Sequence, residues 1–352
     1  MPVSPRPLRK LGFLTIGLFD PADPAAGHES TLQIIELGER LGFDSAWLRH
    51  RHLQFGISSP VAMMAAASQR SSRIELGTAV TPMGWENPLR LAEDLATVDL
   101  LSGGRINPGL SVGEPMHYDT VKDELYPNSS ASEDFSYARV DRFARFVAGE
   151  PVRAFSGRQG VVEEFSDRVE PHSPGLRERL WYGAGSRRSA VWAAANGFNL
   201  LSSGVIFPDE DQDPVFALVQ QSQIRAYREA AAASPQAPGS ARVSQGLVVI
   251  PTDSASSSQR EKYKQYVHER LPRTRAPQGP RRMLFAPDLI GTSDQIAEQL
   301  YAHAGFQEVD EVAFALPFSF DHEDYVQILT DMATTLGPAL GWSPAEVARD
   351  PQ

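Results

Sequence analysis

Short apolar runs alternate with longer amphipathic stretches along nearly the whole of this chain, and nothing else constrains its fold so strongly. The candidate strands are Phe13–Phe19, Asp44–Leu48, Ile74–Ala79, Arg105–Ser111, Leu180–Gly183, Asn199–Ser202, Val243–Ile250 and Glu311–Leu316. Helical spacing predicts helices over Ser30–Leu41, Pro60–Gln69, Pro88–Leu101, Tyr137–Ala148, Arg187–Asn196, Pro214–Ala232, Ser293–His303 and Glu323–Leu336. A strand–helix–strand alternation requires parallel strands joined by right-handed crossovers. Eight such units predict an α/β fold of the (β/α)8 TIM-barrel kind, with a doubly wound open sheet as the structural alternative. A length of 352 residues suits two ordinary domains or one such barrel; the expectation is a single barrel domain over residues 1–352.

A local device recurs where helix gives way to strand. Leu41-Gly42-Phe43, Asn196-Gly197-Phe198 and Ala304-Gly305-Phe306 each place a glycine where a left-handed helix exit is expected, with a phenylalanine to pack back on the last turn. Ser102-Gly103-Gly104 is a related exit. Three stretches break the alternation: 113–135, 152–171 and 270–287. The second reads as a small antiparallel excursion turning at Gln159-Gly160. The third is rich in arginine and proline. Loops of this length are commonly functional lids, and all three are expected as insertions at the C-terminal mouth of the barrel, where sites of this fold lie.

Charge and composition exclude several functions. The formal net charge is −11, and no long basic run is present, so neither nucleic acid nor an anionic membrane is an expected partner. The absence of cysteine removes disulfides, thiolate-bound zinc, iron–sulfur clusters and thiol chemistry, and fits a cytoplasmic location. No apolar run reaches the roughly 18 residues of a membrane span. Met1 to Lys10 lacks an apolar h-region, so no signal peptide is expected.

Several segments carry residues suited to chemistry. Gly183-Ala184-Gly185-Ser186-Arg187-Arg188-Ser189 follows a strand and opens a helix, so its free N–H groups and hydroxyls suit a phosphate. A plain serine-capped turn has the same pattern. The segment is not a dinucleotide fingerprint, because Arg188 stands where a third glycine is needed. His50 and His52 lie just past the second strand, two residues apart, and face the same way if the chain is extended. They suit acid–base work or hydrogen bonding to a cofactor. A metal site would need further ligands at other strand ends, and no histidine follows the fifth or sixth strand; no metal is expected. Thr78-Ala79-Val80 leaves room for a flat ring, although simple packing would use the same small residues. Pro108 removes a ladder donor and predicts a bulge before Ser111. His117 lies on the following loop, within reach of a ligand or merely on the surface.

Taken together, these segments resemble the bacterial luciferase-like monooxygenases, a flavin-dependent (β/α)8 family. The resemblance rests on Glu39-Arg40-Leu41-Gly42-Phe43-Asp44-Ser45-Ala46-Trp47, Arg73-Ile74-Glu75-Leu76-Gly77-Thr78-Ala79-Val80 and Asp99-Leu100-Leu101-Ser102-Gly103-Gly104-Arg105. Pro88-Leu89-Arg90-Leu91-Ala92-Glu93-Asp94, Gly183-Ala184-Gly185-Ser186 and Gly291-Thr292-Ser293-Asp294 add to it. It implies reduced FMN at the barrel mouth, with Gly185, Ser186 and Ser189 at the phosphate beside Gly183, and positive charge expected from Arg187, Arg188 or the 270–282 loop. Thr78, Ala79, Val80 and Ser111 would lie along the ring, with a non-proline cis peptide at Ala79–Val80. His52 matches the second of two adjacent histidines in the luciferases, and the first aligns with Arg51. His50 replaces a carboxylate, and Val112 replaces an arginine often bound to the phosphate.

The resemblance implies a monooxygenase that uses reduced FMN and O2 on a small organic substrate. A separate flavin reductase would serve it, and His52, His50 and His117 would be its catalytic residues. A homodimer through helices beside the second and third strands is also implied, near Val61-Ala62-Met63-Met64. The alternatives are an F420-dependent oxidoreductase transferring hydride, a non-catalytic flavin-binding partner subunit, and a metal-dependent hydrolase on the same barrel.

Overall fold

A computed structural model of the protein describes residues 7–235 and 241–344. Its central strands are β1 (Lys10–Thr15), β2 (Ser45–Leu48), β3 (Glu75–Thr78, continued as Thr81–Pro82) and β4 (Ile106–Asn107, continued as Gly109–Ser111). They are followed by β5 (Trp181–Ala184), β6 (Asn199–Ser202), β7 (Val243–Gln245) and β8 (Glu311–Ala315). Every ladder among them is parallel, and each strand pairs with its neighbour in the chain. The ring closes where β8 returns to β1, with Lys10 opposite Glu311. All eight expected strands are present, and the barrel rather than the open sheet is the outcome.

The helices that cover this ring are α1 (Pro24–Arg40), α2 (Pro60–Ser68), α3 (Pro88–Ser102), α4 (Tyr137–Val147), α5 (Arg187–Ala195), α6 (Phe216–Ala233), α7 (Ser293–Ala302) and α8 (His322–Asp331). Asp23-Pro24, Ser59-Pro60 and Asn87-Pro88 start the first three, with the side chain of the first residue accepting from a first-turn N–H. That cap lets α1 begin six residues before the expected Ser30. The glycine exits hold at Gly42 (φ 88°) and Gly197 (φ 71°) but not at Gly305, whose φ is −68°. There the helix already ends at Ala302, and the glycine serves close approach: a Cβ would meet Gln220 Oε1 at 2.5 Å.

Two strands are broken where the site begins. β3 is interrupted by a cis peptide between Ala79 and Val80, and β4 by Pro108. The Thr78 hydroxyl repairs both breaks at once, donating to Gly109 O at 2.8 Å and accepting from Gly109 N at 2.9 Å. Beneath them Trp47 and Trp181 meet edge to face, 5.3 Å apart, inside the barrel. Their indole N–H groups are held by Ser45 Oγ and Asn107 Oδ1. Below the tryptophans, Arg242 pairs with Glu311 at 2.8 Å and Glu75 at 2.7 Å, and Lys10 also holds Glu75. The lumen is therefore plugged from beneath by described residues, and a cavity opens at its C-terminal end.

The long connections divide between the two ends. Residues 113–135 join β4 to α4, and 270–287 lie in the connection from β7 to α7, so both flank the mouth. They carry short helical segments of their own, Tyr118–Leu125 and Leu271–Thr274. The 152–171 segment does form its hairpin (Gly157–Gln159 against Glu163–Phe165), but it joins α4 to β5 and so returns to the opposite end. A link from a helix to its next strand cannot reach the mouth without recrossing the barrel. Among the described residues no helix is long and apolar enough to cross a membrane.

Candidate functional site

A cavity of about 1020 Å3 opens at the C-terminal ends of the strands. Its floor is apolar: Leu14, Leu201, Ala313 and Ala315 surround Ala79 and Val80, which pack on the Trp47–Trp181 pair. Val80 packs against β5, where Gly183 makes room for it; a Cβ on that glycine would come within 2.7 Å of Val80 Cγ1.

The wall above β2 is made of Arg49, His50, Arg51 and His52, all four of which line the cavity. A regular strand would have sent alternate residues away from it. The chain bends here instead, with Arg51 N donating to Ile57 O at 2.8 Å. The His50 and His52 rings lie 4.4 Å apart, and His52 stacks on Trp85 at 4.1 Å. Burial and the charge of His52 lower the His50 pKa to about 4, and burial lowers that of His52. Behind them, Glu86 Oε1 lies 3.7 Å from His50 Nε2. Burial and the nearby Asp94 raise the Glu86 pKa to about 7. A neutral imidazole thus faces a carboxyl that titrates near neutrality, an arrangement suited to moving a proton.

Potential ligand atoms of His50, His52 and Glu86 lie within 4.8 Å of one another, so the same group could hold a metal ion. The carboxylate that the sequence reading sought at another strand end comes from the connection after β3. Nothing in the pattern around Glu86 marks it. Around the cavity, several buried polar atoms have no hydrogen-bond partner among the described residues: His50 Nε2, His52 Nε2, Ser202 Oγ and Ser244 Oγ. Ser202 and Ser244, on β6 and β7, are also residues that sequence reasoning missed, since a serine in a short strand carries no distinctive signature.

Of the residues singled out from sequence, His50, His52, His117, Ala79, Val80, Gly183 and Gly185 line the cavity. His117 is at the exposed rim, with a left-handed backbone (φ 59°) that starts the Tyr118–Leu125 helix. Thr78 lies behind the floor, its hydroxyl committed to Gly109. Ser111 pairs with Pro82 beside the wall but not on it. Ser186 and Ser189 form a reciprocal capping box at the start of α5, with their hydroxyl oxygens 2.9 Å apart, and Arg187 is exposed. These three follow Gly183 and Gly185 in the chain but do not line the cavity.

Residues 10–308 match the family described as luciferase-like monooxygenase. The F420-dependent glucose-6-phosphate dehydrogenase of Amycolatopsis mediterranei is 35% identical over 107 residues, 29% of this chain and 32% of that protein. Among solved structures, monooxygenase RslO1 from Streptomyces bottropensis aligns with a TM-score of 0.70 at 20% identity, covering 94% of this chain and 99% of that one. The oxygenating constituent of 3,6-diketocamphane monooxygenase from Pseudomonas putida, a type II Baeyer-Villiger monooxygenase in complex with FMN, aligns at 0.65 and 14%, covering 95% and 98%. At such identities the likeness speaks for the fold. The aligned segments span between 22% and 56% of the length of the first curated relatives.

Proposed function

The chain belongs to the luciferase-like monooxygenase family, and from that premise we propose that it holds reduced FMN across the barrel mouth and, with O2, oxidises a small organic substrate. A separate reductase would deliver the reduced flavin. The observation that carries this reading is the pairing of a flat apolar floor with a rim of unpartnered buried polar atoms. Ala79 and Val80 supply a surface for a planar ring, and His50, His52, Ser202 and Ser244 supply donors and acceptors for its polar edge. The volume lies at the upper end of ligand sites, roughly 300–1,000 Å3, and accommodates a flavin together with a second small molecule.

When bound, the flavin supplies activation of O2, with one oxygen atom going to the substrate and the other leaving as water. The chain's own residues do the rest. His50, neutral at pH 7, offers a nitrogen to hydrogen-bond the reacting oxygen, and Glu86 behind it holds or releases the proton. Trp85 fixes His52 by stacking. The Gly183–Gly185 backbone lets the phosphate approach the α5 N-terminus, whose box of Ser186 and Ser189 would open or tilt to admit it. The 113–135 and 270–287 segments, bordering the mouth with His117 and Arg273, exclude water. We further infer a homodimer through the faces of α2 and α3, where Leu100 and Leu101 are exposed.

The similarity to an F420-dependent dehydrogenase favours a second reading, hydride transfer from reduced F420 at the same mouth. Anaerobic titration with each reduced cofactor, followed by mixing with O2, separates them. Tight binding of reduced FMN and a substrate-dependent uptake of O2 is the expected result. Preference for F420 without O2 uptake would establish hydride transfer. FMN binding with no O2 uptake would indicate a partner subunit, and binding of neither would end the flavin reading.

A further inference from the structure

Most of the buried or half-buried arginines in this protein are matched by an acceptor. Arg139 pairs with Glu133, Arg179 with Asp99, and Arg242 with Glu75 and Glu311. Arg49 and Arg51 are the exceptions on the cavity wall. Among the described residues neither guanidinium has a hydrogen bond or an ion pair, and the buried Nε of Arg51 has no partner. Arg49 has only the face of Phe318, its guanidinium carbon 5.7 Å from the ring centre. Leaving a guanidinium unpaired away from bulk water is costly, so an unpaired one on a half-buried cavity wall is a natural partner for a bound anion.

Two more arginines stand on the same arc. Arg270 lies over the same Phe318 ring, 5.0 Å from its centre, and Arg273 follows it. Both reach Asp288, Arg270 through two bonds and Arg273 at 3.6 Å, so one carboxylate serves two cations. The four arginines and Asp288 all line the cavity. The patch carries excess positive charge inside a chain whose formal net charge is −11. Burial and the charge of Arg51 bring the Arg49 pKa down to about 10, which leaves it charged at neutral pH.

Arg49 and Arg51 are also in the wrong place for the cofactor phosphate. They follow β2, Arg270 and Arg273 follow β7, and Phe318 follows β8. The Gly183–Gly185 backbone lies at the end of β5, three strands round the ring from β2 and two from β7. A flavin anchored at β5 would have its ring over Val80 and its far side toward the arginines. We propose that Arg49 and Arg51, with Arg273 and Arg270 beside them, form a subsite for the acidic group of the substrate, which is a small organic carboxylate or sulfonate with an apolar body. This deepens the proposed oxidation and rests on it for the identity of the ligand as substrate; the anion site itself stands on the unpaired arginines. Arginine suits the task because its planar fork can grip a carboxylate or sulfonate through two parallel bonds.

The test compares wild type with Arg49→Gln, Arg51→Gln and the double variant, using hexanoate, hexanesulfonate and neutral hexan-1-ol in calorimetric titrations of the full chain. Wild type is expected to bind at least one of the anions more tightly than the alcohol. The double variant is expected to lose roughly ten- to hundredfold of that anion affinity, the worth of charge-assisted hydrogen bonds, while alcohol binding is kept. With no ligand present, the double variant is expected to melt no lower than wild type, because it has shed two unpaired, half-buried charges. The proposal is overturned if the variant melts lower while binding the anions equally well, since the arginines would then be structural. It is overturned too if alcohol and anions bind wild type alike, or if the variants lose affinity for FMN but not for riboflavin, which would assign the arginines to the cofactor phosphate. Failure of wild type to bind any flavin would defeat the proposed oxidation, yet the anion comparison would still decide the subsite.

Discussion

Glu86 and His50 sit 3.7 Å apart with their proton affinities moved in opposite directions, so each residue has its own signature in pH. The raised pKa of Glu86, about 7, means that folding disfavours its charged form. The penalty is absent below the unfolded value near 4.5, grows as pH rises toward 7 and is constant above, at most roughly 3 kcal/mol. Glu86→Gln is therefore expected to be more stable than wild type at pH 8 and equal to it at pH 4, by urea unfolding. His50, lowered to about 4, works the other way: the unfolded chain takes up the proton first, so stability is lost as pH falls from 6.5 toward 4. His50→Asn should lack that loss. In turnover, a limb near pH 7 in the wild-type rate profile should vanish in Glu86→Gln; persistence of the limb would remove Glu86 from the proton path.

At the scale of elements, the start of α5 is where stability and binding compete. Ser186 and Ser189 satisfy each other's backbone N–H groups, which leaves the helix end closed when nothing is bound. Ser189→Ala should cost about 1 kcal/mol of stability as a lost cap partner. If α5 also receives the phosphate, the ratio of FMN to riboflavin affinity should fall as well; an unchanged ratio would leave the box a cap and nothing more. The broken strands invite a second test. Gly77 lies against Trp47 so closely that a Cβ would come within 2.4 Å of the indole and 2.8 Å of Asn107 O. Gly77→Ala must push the Trp47–Trp181 floor upward or spread β3 from β4. A cost of about 1–3 kcal/mol and a shifted tryptophan emission are expected, typical of overpacking in a tight core.

For the molecule as a whole, the barrel is stitched beneath its tryptophans by Arg242, which joins β7 to the carboxylates of β3 and β8. Arg242→Met would leave Glu75 and the buried Glu311 facing each other without that cation. The expected cost is about 3–5 kcal/mol, as for other broken buried pairs. If residues 1–352 behave as one domain, the entire unfolding transition moves together in denaturant; a split transition would argue for separately folding parts. Assembly is a second property of this scale. Leu101→Glu should convert a homodimer to monomer in sedimentation if the α2–α3 face is the interface. Much of the apolar stretch first noticed in α2 is core, with Met63, Met64 and Ala67 buried, so the leucines of α3 carry that expectation instead.

Periodicity and punctuation determined the barrel. The apolar runs, the Asp-Pro, Ser-Pro and Asn-Pro helix starts and the Gly-Phe exits are local, and local physics suffices to order eight strands and eight helices. The strand-to-helix form of the Gly183–Ser189 turn and the place of His50 and His52 past β2 were legible for the same reason: each is a few residues long and set by local spacing. What depended on long-range packing was not legible. Glu86 acquires its proton affinity mainly from burial in the folded barrel, and Ser202 and Ser244 matter only because two strands end at one cavity. Arg49 and Arg51 look like ordinary charges in a loop until the fold leaves them with no carboxylate partner among the described residues. The 152–171 hairpin had the right local form, yet its end of the barrel is fixed by which helix precedes it. Spacing along the chain decides what forms; only closure of the ring decides which charges are left facing one another, and which are left alone.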